Sequence, residues 1–405
     1  MKVFFLNNGM THYYNLVLDK LSRAEGMELT LVVPLHVSKS LGDNVHQTNE
    51  GVSFRVIRLR ERSLLGIYHS FHGLARLLVR EKPDVIILNE SYLPIFFLSL
   101  PLRAVVRWLG IKLILKTIPF RIPRYDQAIQ QLKSPDKPKQ GLPGFGKLKI
   151  AAGQRRLRLY MAKRAFNMPQ AIAAYIDEAF DVFGSYGVTK DKIFIIRNSP
   201  DTDLLFSIRQ SLASLPPVLP ENSHRLLHVG RLVEWKRVDL LLRAFARVKA
   251  NYGDAELLVI GTGPEEKALK ALSVELGVAD GVQFLGGIYD PKLLGQHLMS
   301  SSIYVLAGMG GLSINDAMCF GLPIICSVCD GTEKILVRDG FNGKYFHEGD
   351  ENDLYDKIMY LLNNDALRKE MGRRSTEIIR NEVNIHTVIN GYLNTLHYVL
   401  QKRTA

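Results

Sequence analysis

The chain has 405 residues, 47% of them hydrophobic and 23% charged, with a formal net charge of +12 at pH 7. That composition excludes a disordered chain or a disulfide-stapled miniprotein, and the length allows two domains, each with its own core. The longest apolar stretch, Leu93 to Val106, is broken by Pro94, Pro101 and Arg103, and falls short of the roughly 20 apolar residues of a membrane-spanning helix.

The charge is unevenly placed. Between residues 101 and 170, sixteen lysines and arginines are opposed only by Asp126 and Asp136, so the excess forms a patch that calls for an anionic partner. No nucleic-acid-binding module accompanies it, which leaves an anionic membrane surface as the expected partner. Met1-Lys2 runs directly into VFFL, too short for the apolar region of a secretory signal, and a cytoplasmic chain is expected.

In chain order, Lys2 to Leu6 reads as a first strand and Asn7 to Met10 as a turn. Thr11 is placed to cap a helix over THYYNLVLDKLSRAE, and LTLVVPL is a second strand. This is the opening of a doubly wound α/β domain, whose ligands sit beyond the C-terminal ends of its strands. Asn8, Gly9 and His12 would face that crevice. His12 is a candidate acid–base or acceptor-orienting group; its alternative is a helix-terminal histidine bonded to backbone. Further strands are predicted over Phe54 to Leu59, Pro83 to Leu88 and Ile111 to Lys116, and helices over Tyr68 to Arg80 and Leu93 to Trp108. Glu90, at the rim, is a second acid–base candidate, the alternative being a surface loop carboxylate. Residues 121–144 read as a mobile loop. Phe145 to Phe166 reads as a helix with Leu148, Ala152, Leu159, Ala162 and Phe166 on one face and basic residues around it. Such a helix docks on a bilayer or packs on the core with a solvated basic back.

The second half repeats the pattern. Arg225 to Val229 is a strand leading into GRLVEWKRVDLLLRAF, and Ala255 to Ile260 is a strand ending in Gly261-Thr262-Gly263-Pro264. Val282 to Gly286 is a further strand. Ile303 to Leu306 is an apolar strand followed by Gly308, Gly310 and Gly311, then the helical LSINDAMCF. Strand, glycine turn and helix N-terminus together point backbone N–H groups at an anion. Asp316 lies one turn into that helix, where it could meet a ligand hydroxyl. Cys326-x-x-Cys329 admits a metal or redox reading, against which stand buried thiols on a core strand.

The segment from Tyr304 to Ile335 resembles the donor-site segment of retaining glycosyltransferases of family 4, which have the GT-B fold. Their pattern is roughly E-G-F-G-L-x-x-x-E-A-M-x-x-G-x-P-V-I, with a later G-G-x-x-E turn. Gly311-Leu312, Asp316-Ala317-Met318, Gly321, Pro323, Ile325 and Glu333 fall at matching positions; Gly308 stands at the first family glutamate and Asp316 at the second. Gly230, Arg231, Lys236, Leu241, Ala244 and Phe245 match G-R-L-x-x-x-K-G-x-x-x-L-x-x-A-F, with Arg237 in place of the glycine. Asn198 and Asp201 stand at the family's N-G-x-D.

The resemblance implies an α/β GT-B enzyme with two Rossmann-like domains facing across a cleft: residues 1–206 holding the acceptor, a proline-bearing linker over 207–222, residues 223–380 holding a nucleoside-diphosphate sugar, and residues 381–405 crossing back. Arg231 and Lys236 would neutralise the leaving diphosphate, and Asp316 would bind ribose hydroxyls. Gly9, Gly230, Gly261, Gly263, Gly310, Gly311, Leu312, Ser313 and Glu333 would line the donor site, with Ile288 against the nucleobase. No metal cofactor is expected. The histidine that in many members follows the strand at Ile111 to Lys116 is absent here, where the chain reads Lys116-Thr117. The acceptor would be a glycan, polyprenyl-linked, in surface polysaccharide assembly. Two other classes keep the same fold: a nucleotide-sugar epimerase or phosphorylase, and an inactive sugar-nucleotide-binding adaptor.

Overall fold

In both halves of the chain the first strand is largely buried and is followed by a turn and a helix, and both halves build an all-parallel sheet. The computed structural model describes residues 1–36, 52–64, 68–133, 152–328 and 331–401. It divides into two compact units, Met1–Arg197 with His386–Ala405, and Asn198–Ile385.

In the first unit the strands are β1 Lys2–Leu6, β2 Glu28–Pro34, β3 Arg55–Leu59, β4 Glu61–Leu64, β5 Tyr68–Phe71, β6 Val85–Asn89, β7 Lys112–Thr117, β8 Ala171–Ala174 and β9 Ile193–Ile195. Seven of them form one sheet in the order β3-β2-β1-β6-β7-β8-β9, and β4 and β5 make an antiparallel ribbon. The helices are α1 His12–Ser22, α2 Leu74–Glu81, α3 Leu93–Leu98, α4 Leu100–Trp108, α5 Tyr125–Lys133, α6 Ala152–Phe166 and α7 Ala179–Ser185. Val3, Phe4, Phe5 and Leu6 of β1 are all buried, as a central parallel strand covered by helices on both sides requires.

The second unit begins with α8 Thr202–Leu212. Its strands are β10 Arg225–Val229, β11 Glu256–Ile260, β12 Val282–Gly286, β13 Ile303–Leu306, β14 Ile324–Cys326 and β15 Gly343–Tyr345. They pair in the order β12-β11-β10-β13-β14-β15, and α9 Val238–Asn251, α10 Glu266–Glu275, α11 Pro291–Met299, α12 Ser313–Cys319, α13 Glu333–Leu336, α14 Glu351–Leu362 and α15 Asp365–Asn381 accompany them. The last helix, α16 Ile385–Gln401, belongs almost wholly to the first unit. There Tyr392 sets its ring edge-on to Phe5 at 5.8 Å, and the Tyr398 hydroxyl donates to Asp191 at 2.7 Å.

In each sheet the chain runs outward one way and then back the other, so strand order reverses between β1 and β6, and between β10 and β13. A crevice opens at the carboxyl ends of the strands at such a reversal. The turns there are residues 7–9 and 89–91 in the first unit, and residues 230–231 and 307–311 in the second.

Several expected boundaries move. Tyr68–Phe71 is a strand and α2 starts only at Leu74, because the segment pairs with Glu61–Leu64. The single helix expected over Leu93 to Trp108 is two. Ser99 is extended, its Oγ accepts from the Leu102 N–H, and Pro101, lacking an N–H, suits the first turn of α4. Part of the expected loop over 121–144 is helix α5, with Ala128 buried. Thr11 sits at the α1 N-cap but its side chain makes no capping bond. The expected linker at 207–222 overlaps α8, which Asp201 caps and whose Leu205 and Leu212 enter the core of the second unit; the passage between units falls at Arg197–Asn198. Residues 134–151, which include Lys137, Lys139, Lys147, Leu148 and Lys149, and also Cys329, lie outside the described residues.

Candidate active site

At the reversal point of the second sheet three loops are laced by backbone. The Gly230 N–H donates to Ile260 O at 2.9 Å, the Leu232 N–H to Thr262 O at 2.9 Å, and the Gly261 N–H to Gly286 O at 2.7 Å. A Cβ on Gly261 would stand 1.8 Å from Gly230 O, and one on Gly263 2.1 Å from Leu232 O. The G-x-G spacing therefore permits backbone to lie on backbone, and this close approach sets the course of the loop that carries Arg231.

Beyond Arg231 the chain makes a single 3-10 turn over Glu234–Lys236 and enters α9 through Arg237 in the left-handed region, φ 50°. The position aligned with a family glycine thus keeps the glycine conformation. Arg237 holds it with a two-pronged bond to Asp239, at 3.0 and 3.1 Å. Lys236 is buried, and its Nζ donates to Met309 O at 2.8 Å and Gly310 O at 2.7 Å. The Met309 N–H donates back to Trp235 O at 2.9 Å. Arg231 is half-buried, its guanidinium 5.6 Å from the Trp235 ring. Gly308 packs so closely that a Cβ would meet Trp235 O at 2.3 Å. A glutamate at that position has no room on this backbone.

The glycine turn leads into α12, which starts without a side-chain cap at Leu312, so its first-turn N–H groups are left for solvent or an anion. The Tyr304 hydroxyl lies 2.7 Å from Ser313 Oγ and 3.2 Å from Val229 O, fastening the helix start to the ends of β10 and β13. Asp316 is half-buried, and among the described residues no hydrogen bond or ion pair reaches its carboxylate. Burial pushes its pKa up to about 7. A desolvated carboxyl with no protein partner is suited to a ligand hydroxyl. Glu333, by contrast, is buried and accepts from the Gly331 N–H at 3.1 Å, which makes it a brace of its own turn. Ile288 is half-buried against the core, with Tyr289 exposed beside it.

His228, which the sequence reading passed over as a strand residue, lies fully buried under this site. Its Nδ1 bonds Val305 O at 3.0 Å, its Nε2 has no partner, and burial lowers its pKa to about 4. A Cβ on Gly230 would stand 3.2 Å from that Nε2. Only the packing, not the spacing of residues, exposes this relation.

The remaining candidates are in the first unit. Asn7 Nδ2 donates to Gly9 O at 2.8 Å, Asn89 Nδ2 bonds Asn7 Oδ1, and Ser91 Oγ donates to Asn8 Oδ1 at 3.1 Å, so the two rim turns are tied. His12 is the half-buried first residue of α1. Glu90 accepts from Thr117 Oγ1 and from the Ile118 N–H at 3.1 Å, bonds that orient the end of β7. Of the cysteines, Cys319 and Cys326 are buried thiols outside any disulfide.

Two Rossmann-like α/β units with parallel sheets constitute the GT-B fold. The chain is similar over 98% of its length to all of the Anabaena protein HepE, solved with UDP, at a TM-score of 0.66 and 17% identity, a likeness of fold. Residues 215–378 match the family model described as Glycosyl transferases group 1. An uncharacterized glycosyltransferase of Haemophilus influenzae is 31% identical over 174 residues, 41% of this chain and 48% of that protein. The phosphatidyl-myo-inositol mannosyltransferase of Mycobacterium leprae is 30% identical over 177 residues, 42% of this chain and 46% of that protein. The chain thus spans about half the length of these curated relatives.

Gly308→Glu will lower the melting temperature, because its Cβ must displace the backbone at Trp235; thermal unfolding checks this, and an unchanged melting point would contradict the contact. Asp316 has a raised folded-state pKa, so its contribution to stability is full below the ordinary carboxylate range and is lost as pH rises toward 7. Asp316→Asn should therefore melt higher than the wild type above pH 7, by roughly 2–4 °C per ~1 kcal/mol recovered, and equally with it near pH 4.

Proposed function

We propose that this protein is a glycosyltransferase that holds a nucleoside-diphosphate sugar in its second unit and transfers the sugar, with retention, to a glycan acceptor held by the first. The observation that carries the reading is the convergence of Lys236 on the Gly308–Gly311 turn, next to an uncapped helix start and an unpartnered Asp316. As the glycosidic bond breaks, negative charge builds on the departing diphosphate. Arg231, Lys236 and the N–H groups of Gly311, Leu312 and Ser313 would stabilise it without a metal ion, while Asp316 would take the ribose hydroxyls. The match of residues 215–378 to the group 1 model and the UDP bound by HepE support the donor class. Dependence of product on an added acceptor separates this activity from that of an epimerase.

The acceptor is read as lipid-linked, a precursor of surface polysaccharide used at the inner face of the plasma membrane. Helix α4 supports this. It buries Leu102 but leaves Leu100 and Trp108 each 72% exposed, with Arg103 and Arg107 exposed on the same helix. On α6, Leu159, Ala162 and Phe166 face the core while Leu157 and Tyr160 are exposed near Arg156 and Arg164. Exposed tryptophan and leucine among arginines are chemistry for a headgroup boundary. No helix of the described residues is long and apolar enough to cross a membrane. The relative from Mycobacterium leprae carries a phosphatidyl acceptor in its name.

A thermal-shift panel of UDP, GDP, ADP and their sugars identifies the nucleotide. Arg231→Ala should then weaken its binding about tenfold or more, since a charge-assisted contact is worth roughly 1.5–3 kcal/mol; unchanged affinity would remove the phosphate assignment. In liposome flotation the wild type should float with anionic vesicles at low salt and be released at high salt. The Trp108→Ser/Arg103→Glu/Arg107→Glu variant should stay in the soluble fraction, and a wild type that never floats would refute the membrane reading.

A further inference from the structure

Lys116 is the last residue but one of the strand β7, near the carboxyl rim of the first sheet, and is paired in register with Asn89 of β6. Its side chain is half-buried, with the ammonium 3.7 Å from the centre of the Tyr14 ring. Among the described residues no hydrogen bond or ion pair reaches Nζ. Glu90, the residue after the Lys116 strand partner Asn89, is engaged by Thr117 Oγ1 and the Ile118 N–H. Around Tyr14 of α1 lie further phenols, the buried Tyr392 of α16 and Tyr175 after β8 and the exposed Tyr13, and burial raises the pKa values of Tyr14, Tyr392 and Tyr175 so that they stay neutral. Burial also lowers the Lys116 pKa to about 7. A structural lysine taken out of water ordinarily acquires a carboxylate or carbonyls, as Lys236 has; the Tyr14 face alone does not offset the lost hydration.

We propose that Lys116 receives an anionic oxygen, of a phosphate or a carboxylate group, on the molecule that the first unit binds. The vacant partner is supplied by the ligand, and the aromatic face holds the ammonium in place until it arrives. This rests on the first unit being the acceptor side, and it narrows the acceptor to one bearing a negative group.

The test is competitive acetylation of the intact protein with limiting acetic anhydride at pH 7.5, each lysine being read by peptide mass spectrometry. Lys116 should label several-fold faster than exposed lysines of ordinary basicity. Millimolar methyl phosphate or acetate should suppress that labelling at least threefold, and whichever is effective identifies the group. Suppression must persist in Arg231→Ala. Labelling that neither anion changes, or protection that vanishes in Arg231→Ala, overturns the assignment. Because labelling needs neither nucleotide nor turnover, its failure is distinct from failure of the glycosyltransferase reading, which the nucleotide panel tests.

Discussion

The Lys236 ammonium, buried and bonded to the carbonyls of Met309 and Gly310, is the tie on which the second unit's site depends. It joins the loop after β10 to the loop after β13, the two turns flanking the point where strand order reverses. Each such charge-assisted bond is worth roughly 1.5–3 kcal/mol. With its carbonyls turned toward Lys236, the turn is held in one course as it runs into the start of α12. Lysine here would shape the anion site as well as contribute charge to it.

The glycines around this tie have different causes. Gly261 and Gly263 are small because the Gly230–Leu232 backbone lies on them, and Gly308 because Trp235 and Lys236 do. Gly311 is different, since a Cβ there would meet only the tip of Lys236, at 3.2 Å, and Ser313 Oγ, at 3.9 Å. Its freedom from backbone contact suits close approach by a ligand. The absence of the first family glutamate is therefore a packing matter in this chain, in which the Gly308 turn lies against the neighbouring loop.

Much of the architecture was legible in the sequence, because parallel strands buried on both faces write themselves as short apolar runs such as Val3 to Leu6 and Ile303 to Leu306. The glycine turns, Lys236 and Asp316 were legible for the same reason that the resemblance was, since their spacing is local. What failed was non-local. Tyr68–Phe71 has helix-compatible residues but pairs with a ribbon partner, and the break at Ser99 depends on a cap and a proline acting together. The buried bond from His228 to Val305 joins two strands, and the contact of Lys116 with Tyr14 joins β7 to α1, so no window of sequence contains either.

Lys236 organises the Gly308–Ser313 turn before any ligand arrives. Hydrogen exchange of the nucleotide-free protein, comparing wild type with Lys236→Met, tests it directly. If the tie is as described, the amides of residues 309–316 will exchange at least about tenfold faster in the variant, the equivalent of ~1.4 kcal/mol, while those of β10 and β11 are unchanged. Equal exchange at residues 309–316 in the two proteins would contradict the account and leave Lys236 with no role in shaping the turn.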